Sequence, residues 1–268
     1  MTAIEPRQGP RLVTEDCAGE PDEDPMDTDA TAAVEVKGLR KNYGSFTALS
    51  DVTFSVEKGE VFGLIGPNGA GKTTTLRVLA TLLLISSGSV RVFGMDVAKE
   101  PEEVRKVISY LPEDAGAYKN LTGRQYLEFI ARFFTHGDAE HEMVARGLEI
   151  VHLSDRIDDK VETYSKGMMR RLLVGRALMT NPRLAILDEL TSGLDVINAQ
   201  EIRKLVKATS RAGTTFLVSS HNMLEVELLC DRLALIHDGV IVETGTPAEL
   251  KAKHHANNIE EVFMAVAA

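Results

Sequence analysis

Apolar and polar residues alternate along AVEVKGLRKNYG, where Val34 and Val36 are apolar members, and again along DVTFSVEKGE and SVRVFGMDV. A period of two predicts strands with one buried face. Lys58-Gly59 reads as a turn, so the front of the ordered chain is expected to form a small antiparallel sheet. Between these runs the pattern changes. Val61 to Ile65 is a short apolar strand, a glycine-rich turn follows, and Thr73 to Leu84 has helical spacing. Further on, LTGRQYLEFIARFF opens with a capping box, Thr122 with Gln125 three residues later, and Leu127, Ile130, Ala131 and Phe134 mark one helix face. Residues 138–152 and 165–180 read as further helices, which makes the middle third mostly helical.

RLAILDEL and TTFLVSS are short apolar runs of the kind found in strands covered on both faces. A helical pattern from Val196 to Ser210 separates them, giving the right-handed βαβ expectation. RLALIHDGVIVETG is expected to turn as a hairpin at Asp238-Gly239, and TPAELKAKHHANNIEEVFMAVAA to form one or two surface helices. There is no internal repeat and no long heptad array.

Composition divides the chain in two. Residues 1–33 lack periodicity and hold nine acids against Arg7 and Arg11. They are expected to be a disordered acidic tail ahead of a folded domain at 34–268. The remainder, with 44% hydrophobic and 26% charged residues in the chain as a whole, can fill a sizeable core. The tail carries −7 of a formal charge of −10, leaving −3 elsewhere. No basic face for nucleic acid is implied. Cys17 and Cys230 show no ligand or redox spacing, in keeping with a reducing cytoplasm. The acidic start is no secretory signal. The longest apolar run, around Leu82 to Ile85, falls short of the roughly 20 residues a membrane span needs. A membrane role then has to come through a partner.

Gly66-Pro67-Asn68-Gly69-Ala70-Gly71-Lys72-Thr73 fits G-x-x-x-x-G-K-[ST] at every fixed position, and Thr74 follows. Glycines let successive N–H groups turn toward one anion, and the helix behind aims its positive end at it. Lys72 would reach the β- and γ-phosphates and the Thr73 hydroxyl would bind Mg²⁺. A bare glycine turn with a helix cap is the alternative, but the strand before and the helix after are what the phosphate loop requires.

Leu184 to Leu187 is an apolar strand that ends in Asp188-Glu189. A buried strand end is a costly place for acids unless a cation or a reacting water uses them. Asp188 suits a Mg²⁺ shell and Glu189 a general base. Ser219-Ser220-His221 ends the next apolar run, at the strand edge where open α/β sheets bind ligands. The other six histidines show no metal spacing and are expected to face solvent.

In this order the motifs resemble the ATP-binding cassette family, the ATPase subunits of ABC transporters, over roughly Val34 to Ala267. GPNGAGKTT is similar to the family's phosphate loop, LAILDE to its second nucleotide motif and SSH to its switch histidine. TSGLD, ending at Asp195, is similar to the loop that crosses to the partner subunit. Tyr43 stands where the family stacks adenine, and Glu113 where it has a glutamine that senses the γ-phosphate. YSKGM aligns with the signature segment LSGGQ, keeping Ser165 and Gly167.

The resemblance implies an α/β fold: a RecA-like P-loop NTPase core, a small antiparallel β subdomain and a helical subdomain at about 114–180. It implies ATP and Mg²⁺, with Thr73, Asp188 and Glu113 near the metal and Glu189, His221 and Lys72 in catalysis. It also implies a head-to-tail dimer in which Ser165 and Gly167 meet the partner's nucleotide, and an integral membrane permease at the inner face of the cell membrane. Export is the expected direction, since YSKGM and the Glu113 variation resemble exporter-type cassettes. From spacing alone Ser165 serves equally as a helix cap. Leu190 departs from the family's proline, and Lys166 and Glu113 alter charges near phosphate. The alternative function is a soluble assembly or regulatory scaffold built on the same cassette. A GTPase-like switch lacks its N-K-x-D motif, and an ordinary kinase has no use for the Ser165 segment.

Overall fold

The alternation at the front of the chain folds as a long hairpin. In the computed structural model, which describes residues 32–267, β1 (Ala32–Tyr43) and β2 (Phe46–Glu57) pair antiparallel, with Val34, Val36 and Leu39 buried. The acidic stretch up to Thr31 lies outside the described residues, and β1 takes in Ala32 and Ala33 ahead of Val34. β3 (Val61–Ile65) is buried throughout and feeds α1 (Lys72–Leu79). β4 (Ser87–Val92) returns antiparallel beside β1 and carries β5 (Met95–Asp96) at its edge.

After α2 (Pro101–Val107) come β6 (Ile108–Leu111), α3 (Gly123–Ala131), α4 (Asp138–Val151) and α5 (Lys166–Leu178). β7 (Leu184–Leu187), α6 (Val196–Arg211) and β8 (Thr215–Ser220) form the expected parallel βαβ unit. α7 (Met223–Leu229), β9 (Arg232–His237), β10 (Val240–Gly245), α8 (Pro247–His254) and α9 (Ile259–Val266) follow. The β9–β10 hairpin turns at Asp238-Gly239, both at positive φ, as a tight right-twisted hairpin demands.

The strands run in the order β5-β4-β1-β2-β10-β9-β3-β8-β7-β6. The small antiparallel sheet therefore continues into the parallel one, joined where β10 meets β2 at Val240 and Asp51. One hydrophobic core lies between the front sheet and α1, centred on residues such as Leu39, Phe62 and Leu76. The other gathers α3, α4 and α5 with the parallel strands. α4 and α5 approach so closely that a Cβ on Gly175 would fall 2.2 Å from Val151 Cγ2.

Three local expectations need correction. The helix expected to reach Leu84 ends at Leu79: Thr81 takes φ 60°, and the N–H groups of Thr81 and Leu82 close back on Val78 and Arg77, a Schellman-type stop. Leu82 and Leu84, which carried the apolar spacing onward, are exposed. Phe134 is likewise exposed beyond the end of α3, although the capping box and the burial of Leu127 and Ala131 hold. His237 and His254 are half-buried rather than solvent-facing, the first edge-on to Phe263 and the second bonded to Glu243.

β3, β8 and β7 are adjacent and parallel, with Ile65 opposite Ser220 and Leu187 opposite Val218. Their C-terminal ends share one edge of the sheet. That register brings three distant pieces of sequence together: the turn after Ile65, Asp188-Glu189 after Leu187, and His221 after Ser220.

Candidate functional site

The turn from Gly66 to Gly71 packs against β9. A Cβ on Gly66 would lie 2.1 Å from the Ile236 carbonyl oxygen, so only glycine fits there. Gly71, the N-cap of α1, has φ 109°, a conformation that side-chain-bearing residues rarely adopt. Gly71 has no side chain with which to cap α1, and the first turn of the helix carries no acid. Its first N–H groups and positive dipole end are therefore disposed toward an anion. The Lys72 ammonium is buried, donating to the carbonyls of Gly66 (2.7 Å) and Pro67 (3.2 Å), and lies 3.6 Å from Glu189 Oε1.

Asp188 and Glu189 are buried at the end of β7, 1% and 5% exposed. The Ser219 hydroxyl donates to Asp188 Oδ1 and accepts the Glu189 N–H at 3.1 Å. Glu189 Oε2 lies 2.8 Å from His221 Nδ1, so the carboxylate sits between an ammonium and an imidazole. Such partners offset the cost of burying it. Glu189 also leaves the strand with φ 48°, unusual for a residue with a side chain. Its carbonyl, with those of Asp188 and Leu190, accepts from the buried guanidinium of Arg170. Arg170 lies two residues past the YSKGM segment, but nothing in the sequence shows that it binds carbonyls 18 to 20 residues away.

A cleft of about 290 Å³ opens over this edge and gathers Tyr43, Asn68, Gly69, Gly71, Lys72, Thr73, Thr74, Glu113 and Glu189. Phe46, 66% exposed, lines it too and pairs in register with Tyr43, 46% exposed, across the hairpin end. An aromatic just past the Gly44 turn is the one sequence signal for Phe46. Lys41 Nζ lies 5.0 Å from the centre of the Tyr43 ring.

Ser165, Gly167 and Asp195 do not line the cleft. They form a second group where α5 and α6 begin. Ser165 Oγ accepts the Met168 N–H at 3.2 Å and caps α5. Asp195 caps α6, accepting from Asn198 N–H (3.0 Å) and Asn198 Nδ2 (2.6 Å), while Asn198 Oδ1 accepts from Arg171 (3.0 Å). These hydrogen bonds hold the Asp195 carboxyl below its ordinary value. Gly167 is buried against Asn198. Its missing side chain therefore serves packing within the chain.

The sequence model of the ABC transporter family matches residues 49–192, which include the phosphate loop, Ser165 and the Asp188-Glu189 pair. The chain belongs to the ABC transporter family. It is similar to the linearmycin resistance ATP-binding protein LnrL of Bacillus subtilis, 39% identical over 81% of this chain and 70% of that one. The daunorubicin/doxorubicin resistance ATP-binding protein DrrA of Streptomyces peucetius is 39% identical over 87% of this chain and 71% of that one. Among solved structures, an ATP-binding subunit of an ABC transporter superposes with a TM-score of 0.78 at 29% identity, covering 88% of this chain and all of that one. The cassette is an ATP-binding, ATP-hydrolysing subunit that powers transport, and the RecA-like P-loop fold expected of it is the one it has.

Proposed function

We propose that this ATPase drives export through a separate membrane-spanning permease, closing on a second copy of itself with ATP and opening after hydrolysis. The seat of Glu189, a buried carboxylate between Lys72 and His221, carries the reading. Adenine stacks on Tyr43, and the phosphates lie along Gly66, Pro67, Asn68, Gly69, Ala70, Gly71, Lys72, Thr73 and Thr74. Glu189 accepts a proton from water as its oxygen bonds to the γ-phosphorus. The bond from that phosphorus to the β–γ bridging oxygen breaks, and ADP and phosphate leave. Lys72 and His221, the latter oriented by Glu189, stabilise charge on the transferring group.

Mg²⁺ fits the oxygen donors in and beside the cleft. Thr73 offers a hydroxyl and Asp188 a buried carboxylate, with Glu113 at the cleft wall. Among the described residues no three His, Cys, Asp or Glu side chains gather as a metal cage. Mg²⁺ is held by one or two carboxylates, with phosphate oxygens and water completing its shell. When bound it would neutralise phosphate charge.

Ser165, Gly167 and Asp195 face the nucleotide of the second copy in this reading. Val196 and Ile197, both highly exposed beside Asp195, support a protein contact there. Tyr118, Phe133 and Phe134 leave a further apolar surface open, suited to the permease. Among the described residues no helix is long and apolar enough to cross a membrane. In this reading attachment at the cytoplasmic face runs through the permease. The resistance proteins similar to this chain favour export over the soluble-scaffold alternative. Affinity purification of the tagged chain from solubilised native membranes tests this. An integral membrane protein is expected to come with it in fixed ratio; recovery without one contradicts the transport reading and favours the scaffold.

A further inference from the structure

We propose that Arg170 is a positioning residue for ATP hydrolysis, holding the turn that aims Glu189 and tying that turn to the helix that begins at Ser165. This rests on the reading of Glu189 as the base.

Arg170 is 8% exposed, and a guanidinium is buried at a cost unless its donors are used. It donates through Nε to the Leu190 carbonyl (2.7 Å) and through one terminal nitrogen to those of Asp188 and Glu189, both at 2.8 Å. Successive carbonyls along a strand point to opposite sides. Three in a row converge on one guanidinium here because the chain leaves strand geometry at Glu189, with φ 48°. A side-chain-bearing residue holds that conformation only where its surroundings enforce it. The backbone of Glu189 is gripped on both sides of its Cα, its N–H by Ser219 Oγ at 3.1 Å and its carbonyl by Arg170. With the backbone so fixed, the carboxylate is delivered to His221 Nδ1 at 2.8 Å and toward Lys72.

The same guanidinium makes a mechanical link. Arg170 follows Ser165, the N-cap of α5, by five residues, roughly 7.5 Å along the helix axis. A tilt or shift of α5 moves the guanidinium and the three carbonyls it holds. Engagement of the Ser165 end is thereby felt at the base of the same chain. Lysine retains charge and length but has no planar fork to span the three acceptors in this geometry.

The test compares ATP turnover and equilibrium ATP binding in the purified full chain and in Arg170→Met, Arg170→Lys and Glu189→Gln, with melting curves to establish folding. Arg170→Met is expected to bind ATP within about twofold of the parent while kcat falls about 10- to 100-fold, the loss of a set of charge-assisted hydrogen bonds. Arg170→Lys should recover part of kcat and still fold if the methionine variant does not. A merely structural role lowers the folded fraction, so binding stoichiometry and turnover drop together and kcat per bound nucleotide stays constant. That outcome, or a folded Arg170→Lys with full kcat beside an inactive Glu189→Gln, overturns the proposal. Turnover surviving in Glu189→Gln instead removes the base, and the premise with it.

Discussion

Gly167 in α5 lies so close to Asn198 in α6 that a Cβ at position 167 would sit 2.4 Å from Asn198 Cγ. Asn198 is not free to swing away, because Asp195 and Arg171 hold its amide. Gly167→Ala should therefore cost about 1–3 kcal/mol of stability, the usual penalty of overpacking. Asn198→Ala should recover part of that in the double variant, since the two changes act on one contact. Urea unfolding of both single variants and the double measures the coupling; strictly additive losses contradict the contact.

Ser165 is the N-cap of α5, yet a hydroxyl that accepts one hydrogen bond still has a proton to donate. Cap and phosphate contact are compatible. Ser165→Asp separates them, because aspartate caps as well as serine but sets a negative charge where the second copy's γ-phosphate is proposed to lie. Its melting temperature should match the parent's while turnover collapses, whereas Ser165→Ala should lose about 1 kcal/mol of stability. Full turnover in Ser165→Asp leaves the residue only its role as a cap.

Tyr43 and Phe46 face one another across the hairpin end at the cleft. If adenine stacks there, Tyr43→Ala should weaken ATP binding by about tenfold, within the usual range for a base on an aromatic ring. Phe46→Ala should act in the same direction. Titration with ATP and with inorganic triphosphate distinguishes stacking from a general loss: the triphosphate affinity should not change.

The Asp195 carboxyl is held below its ordinary value first by the Asn198 backbone N–H and then by its side chain. A carboxyl depressed in the folded state contributes stability that is fully present above its unfolded value and is lost as pH falls through the folded one. The stability difference between the parent and Asp195→Ala should be constant near neutral pH and shrink only below the ordinary carboxylate range. Chemical denaturation across that range checks it; a gap that widens on acidification has the wrong sign.

How much of this was legible in the sequence depended on where each signal lay. The phosphate loop and Asp188-Glu189 directly follow apolar runs and His221 follows one after Ser219-Ser220, and β3, β7 and β8 are parallel neighbours that carry such ends to one edge. The end of α1 was not legible, because apolar spacing continues to Leu84 while the backbone stops at Thr81. Phe46 has only its place just past the Gly44 turn as a linear signature, and Arg170 has none. The first is defined by its cross-strand register with Tyr43, the second by carbonyls 18 to 20 residues away that converge only after the chain has turned. Gly167 was legible as a requirement but not in its cause, since Asn198 comes close only when α6 packs on α5.

Glu189→Gln tests the central claim most directly. The amide keeps the shape of the carboxylate between Lys72 and His221 but cannot accept the proton of an attacking water. ATP turnover with Mg²⁺ should fall by at least about 100-fold. ATP affinity should hold, and the ATP-loaded protein should elute as a dimer. Turnover within about twofold of the parent would contradict the account, whatever else the site retains.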